Sequence, residues 1–203
     1  MNGLKMQKFL KRCIDLAGAA ALLAIFFPVF VMVSLLVLCD DGVPIIYRRR
    51  VLGMKGPFDA FKFRTMLRNA DAILASNPAL KNEFERNFKL KRDPRVTRVG
   101  AILRKYSLDE LPQLLNVLLG QMSLVGPRMI TEAELCKYGA QKHLLLSFKP
   151  GLTGYWQVRG RQNVSYEERV NMDVHYLTQW SLGMDLKILA DTPRKVLKRE
   201  GAF

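Results

Sequence analysis

No residue between Leu16 and Cys39 carries a charge: LAGAAALLAIFFPVFVMVSLLVLC. A helix needs roughly 20 apolar residues to cross the hydrocarbon core of a bilayer, and this run is long enough. A signal-peptide core is usually shorter, and no small-residue cleavage site follows. A lipoprotein signal would put a small residue before Cys39, where Leu38 stands. The run therefore reads as a membrane-embedded segment. It divides the chain into residues 1–40, helical and held in the membrane, and residues 41–203 outside it.

Both flanks of the run are basic. Lys5, Lys8, Lys11 and Arg12 precede it, and Arg48, Arg49 and Arg50 follow Asp40 and Asp41. Lys and Arg mark the cytoplasmic side of a membrane segment, so a spanning helix would export one basic flank. Pro28 stands near the middle of the run. It lacks a backbone donor and clashes with the preceding turn, so it kinks or breaks a helix there. Two topologies stay open on these residues. One is a kinked spanning helix; the other is a helix-break-helix that enters and leaves on one face.

The net charge of +14 calls for an anionic partner. Nucleic acid, an anionic lipid surface or a phosphorylated substrate would each serve. No nucleic-acid recognition motif accompanies the charge, and such a protein has no use for the apolar run, so no nucleic-acid partner is expected. Cys13, Cys39 and Cys136 are scattered, without metal-ligand or disulfide spacing, which suits a reducing compartment. His143 and His175 give no zinc spacing.

Beyond residue 40, VPIIYRRRV reads as a short strand ending at Val51. A turn through Gly53 and Gly56-Pro57 leads to a second strand, Phe58 to Met66, with Lys62 and Arg64 on one face and Phe61 and Phe63 on the other. Residues 67–90 are helical in character, broken at Asn77-Pro78, and offer a packing surface for a homo-oligomer. Thr97 to Lys105 is a short amphipathic helix, and Thr131 to Tyr138 and Gln141 to Phe148 are two more. TGYWQVRGR, Thr153 to Arg161, reads as strand or loop. Ser165 to Glu168 is a capping box that opens a helix with Tyr166, Val170, Val174 and Leu177 on one face. Ser181 to about Lys198 is a last helix with a kink expected at Pro193. The sum is one compact, mainly helical α+β domain with a few short strands.

The chemistry centres on DPRVTRVGAILRKYSLDELPQLLNVLLGQMSLVGPR, Asp93 to Arg128. Two adjacent carboxylates, Asp109 and Glu110, sit among Arg95, Arg98, Arg104, Lys105 and Arg128. A structural role is available: Ser107 to Glu110 fits a capping box. With Asp109 as the cap instead, Pro112 falls where no helix donor is needed. A functional role uses the same placement. A carboxylate at a helix start among arginines stays ionised at neutral pH. It is then a nucleophile toward phosphorus or a ligand for Mg²⁺, while arginines and helix amides bind phosphate.

KFRTM, the Asp93–Arg128 stretch, KPGLTGYWQVRGR and the end of the chain resemble the bacterial sugar transferase family, the monotopic polyprenyl-phosphate phosphoglycosyl transferases. The resemblance starts at the Lys11-to-Asp15 motif and covers nearly the whole chain. KLKRDPR, GYWQVRGR and KREGAF resemble the subgroup that starts exopolysaccharide, capsule or O-antigen units. Members of that subgroup often carry extra N-terminal transmembrane helices; this chain is like their catalytic part alone.

The resemblance implies a reaction. A hexose 1-phosphate moves from a UDP-hexose to undecaprenyl phosphate, releasing UMP. Asp109 would attack the β-phosphorus and form a covalent phosphosugar intermediate. Glu110 would assist as metal or proton partner, with Asp109 and Glu110 holding the Mg²⁺ cofactor. Lys62, Arg64, Arg104, Arg128, Gln157 and Arg161 would bind the substrate and its phosphates. The resemblance also implies a re-entrant membrane helix and a catalytic domain on the cytoplasmic face of the bacterial inner membrane. The excess positive charge then serves anionic lipids too. Two positions depart from the family pattern: Phe27 stands where many members have Ser before the membrane proline, and Met129 stands where Pro usually follows Gly-Pro-Arg.

The rival function is a membrane-anchored basic binding protein without catalysis, in which Asp109 and Glu110 only cap a helix. The sequence does not single out the hexose.

Overall fold

A computed structural model describes residues 3–87, Leu90, 93–159 and 164–197. The apolar run lies in helix α1, Gly3–Asp41, one continuous helix with Pro28 inside it, so the helix-break-helix expected at Pro28 is not seen as a break in the helix. At about 1.5 Å per residue a straight helix of this size would measure roughly 58 Å, nearly twice the ~30 Å hydrocarbon core. Asp15, Ala19, Val33 and Val37 of α1 are buried against the rest of the chain. Their spacing puts them on one helical stripe. Between the two buried pairs, residues 24–28 are exposed, among them Ile25 and Phe27.

Both ends of α1 are tied down by polar contacts. At the N-terminal end, Lys11 Nζ donates to the Val125 carbonyl at 2.8 Å and to Asp185 Oδ2 at 2.6 Å. Arg12 donates to the carbonyls of Val117 and Leu118. Asp15 Oδ1 accepts from Ser123 Oγ and the Leu124 amide. At the C-terminal end, Arg64 and Arg68 donate to the Asp41 carbonyl.

Strands β1, Ile46–Gly53, and β2, Gly56–Phe63, form an antiparallel hairpin with Tyr47 opposite Lys62 and Arg49 opposite Ala60. The second strand stops at Phe63 rather than Met66. Arg64 therefore leaves the face of Lys62 and turns to the end of α1. Helices α2, Ala70–Ala75, and α3, Pro78–Asn87, break at Asn77, whose side chain accepts from the Leu80 amide. Helix α4, Arg98–Lys105, starts at Thr97, which accepts from the Gly100 amide.

After α4 the chain makes a single 3-10 turn, Leu108–Glu110, then helix α5, Gln113–Leu118. Neither sequence register for a cap on the acidic pair holds. Ser107 makes no side-chain cap, and α5 begins beyond Pro112. Ser107 instead adopts φ 55°, the left-handed conformation that ends a helix, and its amide bonds the Arg104 carbonyl. A serine there costs about 1–2 kcal/mol relative to right-handed backbone.

Strands β3, Ser123–Val125, and β4, Gly151–Thr153, pair in parallel. Between them lie α6, Glu132–Leu135, a 3-10 segment, Cys136–Gln141, and α7, Lys142–Leu146. The ladder spans only Ser123↔Gly151 to Val125↔Thr153. The chain then enters helix α8, Tyr155–Arg159, with Trp156 and Val158 buried. This corrects the strand-or-loop reading of TGYWQVRGR: three residues exhaust the pairing, and Gly154 leads into a helix. A Cβ on Gly126 or Gly154 would collide with the facing backbone, so the Gly126-Pro127-Arg128 turn and the end of β4 are close because both sides are glycine.

Helix α9, Tyr166–Thr178, opens with the expected capping box from Ser165 and Glu168. Helix α10, Leu182–Leu197, runs through Pro193. The main core joins Leu114 and Val117 of α5, Leu124 and Val125 of β3, Tyr176 of α9 and Ile188 of α10, and takes in Met129. A second, smaller cluster joins Val33 and Val37 of α1 to Phe63 of β2 and Leu103 of α4, with the Phe30 and Phe63 rings 4.8 Å apart.

Candidate active site

The acidic pair faces the hairpin. Asn116 of α5 holds the two together: its Oδ1 accepts from the Phe61 amide, and its Nδ2 donates to the Asp59 carbonyl and to Gln121. Phe61 and Asp59 flank Ala60 on β2, so this link sets the height of Lys62 against the 3-10 turn. Lys62 Nζ lies 2.5 Å from Glu110 Oε1 and 3.9 Å from Asp109 Oδ2. One ammonium thus bridges both carboxylates.

The two acids titrate in opposite directions. Burial pushes the Asp109 carboxyl up to about 6, and the Glu110 charge adds to the rise, while Lys62 and Arg104 oppose it. Burial also acts to raise the Glu110 carboxyl. The Lys62 charge and hydrogen bond, helped by Arg128 and Arg49, outweigh it and hold Glu110 below its usual value. At neutral pH both are ionised, and Asp109 is the more basic and the less solvated.

Arg104, at the end of α4, donates from Nε to Thr65 Oγ1 at 2.9 Å. Burial lowers its pKa, offset in part by Asp109. Arg128 acts on Glu110 through its charge. Its backbone amide donates to Asp173 Oδ1, and its guanidinium carbon is 5.2 Å from the Trp156 ring centre. Asp173 is fully buried and accepts from Tyr138 at 2.7 Å. That contact fixes the turn that presents Arg128.

Lys62, Asp109, Glu110, Arg104 and Arg128 therefore form one electrostatic cluster. Arg64 stands apart. It is buried, with Nη2 on the Asp41 and Gly42 carbonyls and 3.2 Å from Asp41 Oδ2, which makes it a brace for the end of α1. Gln157 lies on α8 beside Trp156, its Oε1 buried without a partner among the described residues. Arg161 lies outside the described residues. Arg95 of the basic run is engaged by a two-pronged ion pair with Asp93.

Sequence reasoning passed over four residues here. Arg49 pairs with the buried Glu134 at 3.3 Å and acts on Glu110. Gln113 is fully buried one turn after Asp109, with neither amide atom paired among the described residues. Arg169 of α9 lies over Trp156, and Asp173 holds the Arg128 turn. A signal for the last two was present. Tyr166, Arg169, Val170 and Asp173 follow helical spacing, so two charges fall on the apolar face of α9.

The donor set suits Mg²⁺ in part. Asp109 and Glu110 offer hard carboxylate oxygens, and the Lys62 ammonium marks where positive charge is favoured between them. Among the described residues no group of three or more acidic, histidine or cysteine side chains gathers at one point, so any metal there would draw further ligands from substrate oxygens and water.

Residues 6–199 match the family model for Bacterial sugar transferase. The chain is 46% identical over 201 residues to the UDP-galactose-lipid carrier transferase of Erwinia amylovora, covering 97% of this chain and 42% of that protein. It is 44% identical over 204 residues to the undecaprenyl-phosphate galactose phosphotransferase of Salmonella typhimurium, covering 98% and 43%. The exopolysaccharide production protein ExoY of Sinorhizobium fredii is 46% identical over 198 residues, covering 95% and 88%. The chain thus spans less than half of the first two relatives and most of the third. With both motif order and nearly the full described fold inside the matched region, this chain belongs to the bacterial sugar transferase family.

Proposed function

We propose that the protein transfers a hexose 1-phosphate from a UDP-hexose to undecaprenyl phosphate, releasing UMP, as the first membrane step of exopolysaccharide, capsule or O-antigen assembly. The carrying observation is the setting of Asp109: a buried carboxylate 3.9 Å from the Lys62 ammonium, which also pairs with the adjacent Glu110. The relatives named for galactose transfer to undecaprenyl phosphate or a lipid carrier supply the substrate classes.

In this reading an Asp109 carboxylate oxygen attacks the β-phosphorus. The bond from that phosphorus to the bridging oxygen breaks, and UMP leaves with the electron pair. A phosphate oxygen of undecaprenyl phosphate then attacks the same phosphorus and frees the Asp109 carboxylate. The anomeric bond of the hexose stays intact throughout. Desolvation keeps Asp109 reactive, and positioned cations offset the charge on the transferring group. Lys62 offsets one of the two charges of the acidic pair, while Arg104 and Arg128 face the phosphoryl oxygens. Asp109 and Glu110 would hold Mg²⁺, which when bound neutralises the diphosphate.

The same reading makes α1 a re-entrant segment on the cytoplasmic face of the inner membrane. Its two flanks, at Lys11–Arg12 and at Asp41, are tied to the same globular body, and the exposed residues 24–28 lie between them. A polyprenyl acceptor is insoluble in water, so a catalytic domain held at the interface can reach its phosphate.

UMP release is the test. Purified protein is incubated with Mg²⁺, undecaprenyl phosphate and a panel of UDP-sugars. UMP with one or two sugars, dependent on the lipid acceptor over many turnovers, is expected. UDP in place of UMP would mean ordinary glycosyl transfer. No nucleotide release by folded, membrane-bound protein would favour a binding role.

A further inference from the structure

We propose that Arg169 is a ligand for the diphosphate of the nucleotide-sugar donor, acting with Arg128 across the indole of Trp156. The proposal rests on the transferase reading above and adds a residue that lies outside the Asp93–Arg128 stretch and the GYWQVRGR motif.

The Arg169 guanidinium carbon is 4.6 Å from the centre of the Trp156 ring, and that of Arg128 is 5.2 Å from it. Arg169 also lies 5.4 Å from the Tyr166 ring centre. Two like charges thus share one aromatic platform. Among the described residues, no carboxylate is within ion-pair distance of either guanidinium. The nearby acids are already engaged. Asp173 accepts from Tyr138 and from the Arg128 backbone, and Glu134 from Thr131, Arg49 and Tyr166.

The Nε donors of Arg128 and Arg169 and the Trp156 Nε1 donor are all buried without an acceptor among the described residues. A buried donor without an acceptor is costly, more so when it is charged. A cation over an aromatic face offsets only part of that cost. Stacking alone therefore does not account for bringing two guanidinium groups together here. A multivalent anion does, because it satisfies the donors and removes the repulsion in one step. Guanidinium forks match phosphate oxygens two at a time.

The neighbours favour the donor over the lipid acceptor as the source of that anion. The unpaired Gln157 Oε1 and the Trp156 indole N–H suit hydroxyls or a base. Beyond its phosphate a polyprenyl chain offers neither. The Arg128 charge also acts on Glu110, which places this cradle beside the acidic pair.

The test compares wild type, Arg169→Ala and Arg169→Lys in detergent or nanodiscs. UDP binding is measured by calorimetry, and UMP release is measured against UDP-galactose, UDP-glucose and undecaprenyl phosphate in turn. The proposal predicts at least tenfold weaker UDP binding and a tenfold higher donor KM for Arg169→Ala, with the acceptor KM unchanged. Arg169→Lys keeps the charge but loses the fork, so it should recover only part of the affinity while melting close to wild type. UDP binding equal to wild type in both variants, or an increase confined to the acceptor KM, would overturn it. A wild type that releases no UMP would instead sink the parent reading; an active wild type with unaffected variants would sink only this one.

Discussion

The two halves of the candidate site differ in how their charges are compensated. Around Asp109 and Glu110 the acids are ion-paired: Lys62 bridges both, and Arg104, held by a bond to Thr65, adds its charge to Asp109. In the other half, Arg128 and Arg169 share an aromatic ring without an ion-paired acid among the described residues. The first half carries acids balanced by cations; the second carries cations that, on the proposal above, an anion would balance. The difference teaches that an arginine inside a motif is identified by what it already bonds. Arg64 is more buried than Arg104, Arg128 or Arg169, and it already bonds the end of α1.

The largest test of this contrast is Asp109→Asn. Removing the nucleophile should reduce UMP release by roughly 10⁴-fold or more. It should not destabilise the fold. The Asp109 carboxyl is raised in the folded state to about 6, above its unfolded value near 4. The folded protein therefore holds this proton more tightly, and stability falls as pH rises between those two values. At pH 7 to 8 the Asn variant should melt above wild type, with the gap closing toward pH 4. A variant that melts lower at pH 8 would show that Asp109 is a structural cap.

Arg128→Ala comes next, with an expected loss of about 10²–10³-fold in kcat/KM from one missing charge-stabilising donor. The pH profile follows. The acid limb of kcat/KM should fall tenfold per unit below about pH 6, as Asp109 takes up its proton. Lys62→Met removes the bridging cation, so the limb should move to higher pH. A limb unmoved by that change would detach Asp109 from the profile. The smallest catalytic effect belongs to Arg64→Ala. It should lower the melting temperature, by about 1–3 kcal/mol of stability, and leave the donor KM unchanged. A raised KM at unchanged stability would return Arg64 to the substrate.

Much of the scaffold was legible because it follows local rules. The uncharged run, the β1–β2 hairpin, the start of α4 at Thr97 and the capping box at Ser165 each depend on a few adjacent residues. The acidic pair stood out for the same reason. Its conformation did not, because only Tyr106 and Ser107 separate the end of α4 from the 3-10 turn. A serine that closes one helix in the left-handed region looks, in sequence, like a serine that opens the next. The segment after β4 was misread because its pairing ends at Thr153, which β3 decides from afar. Arg64 and Arg169 exchanged importance for a similar reason: their partners, Asp41 on one side and Trp156 on the other, are distant in sequence.

The account depends most on a bond between Asp109 and the transferred phosphorus. Mass spectrometry after rapid quench with UDP-galactose or UDP-glucose, without lipid acceptor, measures it directly. The account predicts one hexose phosphate added to the peptide that carries Asp109, UMP in equal amount, and loss of the adduct when undecaprenyl phosphate is supplied. UMP released on lipid addition with no adduct at any time, or an adduct on another residue, would contradict it.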